Sequence, residues 1–132
     1  KAGLNILARY KMYRFSRPPD DPLPNGIRKD TRWKTKHCLA PPKALVETYL
    51  SDISDAAWTH FEVAYRELLE QRYADDPSPF EKLAAMAIEK DVFIGCSCPT
   101  QKNPNPMHCH TVPALRFISS KFPDIEIQLP LP

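Results

Sequence analysis

The stretch "DVFIGCSCPTQKNPNPMHCHTVPALRFISSKFPDIEIQL", residues 91–129, decides the fold. Its opening, DVFIGC, is a short apolar run of the kind that forms a buried strand. From about His110 to Lys121 the apolar spacing turns helical. Pro113 falls in the first turn, where a missing N–H costs nothing, and Leu115, Ile118 and Phe122 line one side. "IEIQL" then alternates Ile125, Ile127 and Leu129, a strand pattern. Strand, helix and strand in this order have the form of a βαβ unit, so the expected fold is α/β: a small parallel or mixed sheet with helices packed on it, in a single domain over residues 1–132.

Upstream, three helices are expected. "APPKALVETYL" begins with Pro41 and Pro42 in its first turn. The next helix, capped by Ser54 or Asp55, runs to about Tyr73 and carries Trp58, Phe61, Tyr65, Leu68 and Leu69 at three- and four-residue steps, a core face. "SPFE" at 78–81 has the form of a capping box and opens a helix to about Lys90 that buries Phe80, Leu83, Ala84, Ala87 and Ile88. Residues 4–15 place Leu4, Ile6, Ala8, Tyr10 and Met12 at period two, a first strand. It leads into a proline-rich loop and the Asn25-Gly26 turn signal. The chain thus divides into a basic strand-and-loop segment (1–43), a helical middle (41–90) and the strand–loop–helix–strand unit (91–132).

The net charge of +2 conceals a polarity. Residues 1–43 hold eleven Lys/Arg and three Asp/Glu, while residues 44–132 hold seven and thirteen. Either the two segments pack together and neutralise each other, or the first builds a surface for a small anionic ligand, a nucleotide or nucleic acid. No apolar run approaches the ~20 residues that a membrane helix needs, so no membrane partner is expected. Three of the four cysteines are crowded together, unlike the dispersed cysteines of secreted, disulfide-stapled domains. An intracellular, cytoplasmic setting is the expectation. The chain opens at Lys1, so an address could have been carried ahead of it.

The crowded cysteines are the candidate site. Cys96 ends a strand, and His108, Cys109 and His110 begin a helix, the place where open α/β sheets bind ligands. Three chemistries fit. In the first, Cys109 is a reactive thiol at a helix N-terminus, with His108 or His110 as base, Cys98 beside it and Thr111 as cap or anion contact. In the second, Cys96, Cys98, Cys109 and His110 hold zinc, although Cys-x-Cys is tighter than the usual knuckle spacing. In the third, the cysteines are small buried residues and the histidines merely cap a helix. A Cys98–Cys109 disulfide is a redox variant of the first. "PTQKNPNP" is either a solvated loop or a lid bringing Lys102 and Asn103 over the pocket. Trp33, Tyr10 and Tyr13 among basic residues offer stacking surface for nucleic acid.

Several motifs in order resemble the domain of unknown function 488 family: "RFSRPPDDPLPNGIRK" at 14–29, Trp33, "LAPP" at 39–42, "SDAAWTHFEVAYRELL" at 54–69, "DVFIGCSC" at 91–98 and "MHCHT" at 107–111. The resemblance spans nearly the whole chain, and the last two motifs are the most specific. It implies a compact α/β domain whose clustered polar positions fall on Arg14 or Arg17, Arg28, Lys29, Cys96, Cys98, Cys109 and His110. It implies no reaction, because the family has no established one. The family's Cys-His-Arg arginine is Thr111 here, and its Pro-Arg-Gly arginine is Asn25. An anion grip would then have to come from Arg17, Arg28 or Lys102.

Overall fold

The computed structural model describes residues 5–130; Leu4 of the first strand pattern lies outside the described residues. Four strands, β1 (Ile6–Lys11), β2 (Ile27–Asp30), β3 (Val92–Cys96) and β4 (Glu126–Gln128), form one sheet. Their order is β2-β3-β1-β4, and every pairing is parallel. Four helices, α1 (Lys43–Ser51), α2 (Asp55–Asp75), α3 (Ser78–Glu89) and α4 (Thr111–Lys121), complete the α/β fold.

The βαβ unit read from residues 91–129 exists, but β4 pairs with β1 rather than with β3, so the α4 connection crosses a strand. The sequence reading missed β2. Four residues, Ile-Arg-Lys-Asp, carry too little apolar pattern to signal a strand, and pairing to β3 organises them instead. Gly26, at φ +147°, turns the chain into β2; a Cβ there would lie 2.5 Å from the Asp91 carbonyl oxygen, so both conformation and space demand glycine.

In register, Leu7 lies beside Val92 and Ile127, and Ile27 also pairs with Val92. This row faces a core that includes Trp58, Phe61, Tyr65 and Leu69 from α2, Phe80 and Leu83 from α3, and Leu115, Phe117 and Ile118 from α4. The helical spacing therefore identified most of the core, with two corrections. Ile88 is 62% exposed, because it falls at the solvent side of the last turn of α3. "SPFE" does not form a capping box: Ser78 lies inside the helix, and Asp76 Oδ1 accepts from its N–H and hydroxyl instead. Ser54 does cap α2, accepting from the Ala57 N–H at 3.0 Å.

The segment between β2 and α1 is irregular, and α2 fixes it. Tyr65, fully buried, donates its hydroxyl to the Leu39 carbonyl at 2.6 Å. Arg72 donates to the carbonyls of Cys38 and Ala40. Buried carbonyls need partners, so these bonds allow an extended loop to lie against the core. Replacing Tyr65 by Phe keeps the ring and strands the Leu39 carbonyl. The expected loss is about 1–3 kcal/mol of unfolding free energy, measured by urea denaturation.

Candidate functional site

Two connections place the site. The chain leaves β1 for β2 at one edge of the sheet, and leaves β3 for β4 at the other. The carboxyl ends of the adjacent central strands β1 and β3 therefore lie where the connections diverge, the crevice in which open α/β sheets bind ligands. Cys96 closes β3 there, Cys98 follows in the loop, and Cys109 stands two residues ahead of α4. Their three sulfurs lie within 4.8 Å of one another, and all are free thiols.

The loop between them is held from both sides. From β1, Arg9 donates to the carbonyls of Cys96 and Cys98, and Lys11 donates to that of Pro99 at 2.6 Å. From within, Asn103 makes a turn with Thr100. Its buried amide accepts from the Tyr49 hydroxyl at 2.9 Å and donates to the His108 carbonyl at 2.7 Å and toward the Cys98 sulfur at 3.5 Å. Asn103 is thus an internal strut, with its side chain committed inward. Lys102 is exposed and does line the cavity.

Thr31, at the end of β2, is the residue the sequence reading did not single out. It is fully buried, and its hydroxyl donates to the Gly95 carbonyl at 3.1 Å and lies 2.8 Å from His110 Nε2. A hydroxyl has one proton to give. With that proton on Gly95, the His110 contact requires Nε2–H as donor, which leaves Nδ1 as the nitrogen not engaged by Thr31. Only the pairing of β2 with β3 brings Thr31 here, so no local signal could have marked it.

Cys109 is 2% exposed but is not sealed in hydrocarbon. Thr111 donates its hydroxyl to the sulfur at 3.2 Å. Burial by itself would raise the Cys109 thiol; hydrogen bonds from Cys96, Cys98 and His110 outweigh it and hold the thiol well below its ordinary value. The neighbours answer in the opposite sense. Cys98 is pushed up to about 11, chiefly by its hydrogen bond to Cys109, and Cys96 is raised by its bonds to Cys109 and Cys98. Of the three clustered thiols, Cys109 is thus the one shifted toward its thiolate form, and its two neighbours are shifted away from theirs. Side chains supply this stabilisation, where the sequence reading had looked to the amides of α4.

A cavity of about 210 Å³ opens over these sulfurs. Trp33, Tyr49, Trp58 and Phe61 give it aromatic walls, and His108 stacks on Trp58 with ring centroids 5.0 Å apart. Among the described residues, its charged lining groups are Arg32 and Lys102, and no carboxylate lines it. Asp30 accepts from Arg32 Nε and Nη2, and among the described residues Nη1 has no hydrogen-bond partner. A larger hollow, about 510 Å³, lies between residues 33–42 and α2–α3; it contains Cys38 alone of the cysteines, with its thiol raised by burial to about 11.

The candidate residues therefore separate. Cys96, Cys98, Cys109, His108, His110 and Trp33 line one cavity. Thr111 is fully buried behind it against Cys109. Arg14, Arg17, Arg28 and Lys29 do not line it. Arg17 donates to the Lys11 carbonyl and to Asp21, Arg28 to the Pro24 carbonyl, and exposed Arg14 lies over the Phe15 ring. Much of the basic segment is thus spent on its own carbonyls and aspartates, and the cations at the cavity are Arg32 and Lys102.

These features define an α/β domain with a three-cysteine crevice at the carboxyl ends of its central strands. The family model described as the active DUF488-N3 subclade, DUF488-N3a, matches residues 16–117. The chain belongs to this DUF488 family. No curated protein and no solved structure matches it. Among the described residues, no helix is long and apolar enough to cross a membrane.

Asn103 gives the site a direct test. Asn103→Ala removes the partner of the His108 carbonyl and leaves the Tyr49 hydroxyl only the long contact to His108 Nδ1 at 3.5 Å. Unfolding free energy should fall by about 2 kcal/mol in urea denaturation, and protease cleavage within residues 97–108 should accelerate.

Proposed function

We propose that the crevice is a thiol-centred pocket for a small anionic ligand, with Cys109 as its nucleophile. The observation that carries the reading is the alignment of Thr31, His110 and Cys109. A buried hydroxyl meets Nε2 of the imidazole, and the imidazole is among the groups that hold the adjacent Cys109 thiol below its ordinary value. Nucleophile, base and orienting group stand in the relation that activates a weak nucleophile. Cys98 and His108 belong to the same cavity, Cys98 beside the nucleophile and His108 in the aromatic wall. Lys102 and Arg32 in the lining, with no carboxylate there among the described residues, favour an anionic ligand. Trp33, Trp58 and Tyr49 favour one with an apolar or planar part, and a nucleotide-like molecule has both features. The description of the family branch as active is consistent with chemistry at the site.

Iodoacetamide labelling of the intact chain, resolved by peptide mapping with EDTA present, tests this. Cys109 should be alkylated roughly tenfold faster than Cys38 at pH 7, and Thr31→Val should abolish that advantage while leaving the Cys38 rate unchanged. A Cys109 that reacts only after denaturation would remove the nucleophile role.

A second reading is favoured by the convergence of the sulfurs. Three cysteine donors within 4.8 Å of one another suit a soft divalent ion such as zinc. Cys96, Cys98 and Cys109 would hold it. His110, included in the four-ligand set read from the sequence, is not part of this donor group, and its Nε2 faces Thr31. Such a centre would keep a position open toward the cavity. On this reading, chain purified without chelator contains about one zinc per molecule by elemental analysis; a content below roughly a tenth of that rejects it.

A further inference from the structure

We infer that Cys109 and Cys98 form a redox-active dithiol that reduces small anionic disulfides. The inference rests on the thiol reading above and adds to it the partner, the substrate class and the reaction. Its starting point is position. The Cys109 sulfur has two further thiols within 4.8 Å, and a disulfide brings its sulfurs to about 2.05 Å. Cys98 is the resolving partner because it is only half-buried, whereas Cys96 is buried at the end of β3. Rotation of the Cys98 side chain closes the gap, since Arg9 and Lys11 hold the loop by its carbonyls and not by the sulfur, which outside the three-cysteine cluster has, among the described residues, only the long Asn103 contact at 3.5 Å.

The step balances. Cys109 gives its proton to His110 and attacks one sulfur of the disulfide RSSR′. The S–S bond breaks, R′S⁻ leaves and takes the proton from His110 as R′SH. Cys98 then attacks the Cys109 sulfur of the mixed disulfide. Its proton leaves with the second fragment as RSH, and a Cys98–Cys109 disulfide remains. Two thiols of the chain are oxidised and one disulfide is reduced to two thiols. A small dithiol reductant restores the starting state by the reverse exchange.

The cavity selects the substrate. At about 210 Å³ it admits a low-molecular-weight disulfide rather than a folded protein's, and its charged lining residues are Arg32 and Lys102. A disulfide with carboxylate arms should therefore be preferred over one with ammonium arms.

The experiment uses the intact chain with Cys38→Ser to remove the separate thiol, in EDTA, with dithiodiglycolate and cystamine as probes and mass spectrometry as readout. Dithiodiglycolate should convert the chain to a product lighter by two hydrogen atoms, with Cys98 joined to Cys109 in the peptide map, roughly tenfold faster than cystamine does. The added change Cys98→Ser should trap the mixed disulfide on Cys109. Accumulation of a mixed disulfide in the chain that retains Cys98, a link through Cys96 instead, or faster reaction with cystamine would each overturn the proposal. The outcomes also separate the two readings. If Cys109 alkylates rapidly yet no internal disulfide forms, the dithiol fails and the thiol pocket stands; if Cys109 is inert to both reagents, both fall.

Discussion

The hydroxyl of Thr31 touches three parts of the chain at once. It stands at the end of β2, donates to the carbonyl of Gly95 in β3, and meets the imidazole of His110 at the start of α4. Without it, the buried imidazole N–H would lose its partner and the orientation of His110 would no longer be fixed, while the Gly95 carbonyl would keep only the Thr31 backbone N–H at 3.3 Å. The edge strand β2 has only four residues and is held by pairing to β3. Thr31 extends that pairing into the site, so sheet register and site geometry share one constraint.

A second set of buried polar contacts supports the other wall. Tyr49 packs edge-on against Trp58, Trp58 stacks on both Phe61 and His108, and the Tyr49 hydroxyl ends on Asn103. An otherwise irregular loop thereby becomes part of the core. Buried polar groups of this kind stabilise only when their partners are present. Asn103 and Thr100 satisfy each other's backbone groups inside a turn, which allows a loop rich in proline and asparagine to descend into the protein. The same packing keeps Cys109 shielded from bulk water while surrounding its sulfur with hydrogen-bond donors.

Most helices and the βαβ unit were legible in the sequence, because their signals are local. The α2 face of Trp58, Phe61, Tyr65 and Leu69 follows from helical spacing alone, and Ser54 marked the start of the helix. Ile88 escaped this logic: its spacing fits the buried face of α3, but among the described residues its side chain stays 62% exposed in the last turn of that helix. β2 escaped for the converse reason, since Ile27 and three polar residues become a strand only when β3 is beside them. At the site, the Cys/His cluster was legible as a concentration of reactive side chains. The basic residues assigned to it were not placed by local pattern. Arg17 and Arg28 are satisfied by nearby carbonyls, and Arg32, part of the basic stretch but not among the expected site residues, lines the cavity instead.

By itself, the sequence determined the α/β class, the helical core faces and the clustering of Cys96, Cys98 and Cys109 on either side of one loop. Each of these depends on residues within a few turns or strand lengths of one another. Tertiary structure alone decided the strand order, the convergence of three sulfurs within 4.8 Å, and the appearance of Thr31 and Arg32 beside them. The reason is physical: strand pairing joins residues more than sixty positions apart, as Thr31 and Gly95 are. Hydrogen-bond complementarity across such a distance leaves no periodic trace in the chain.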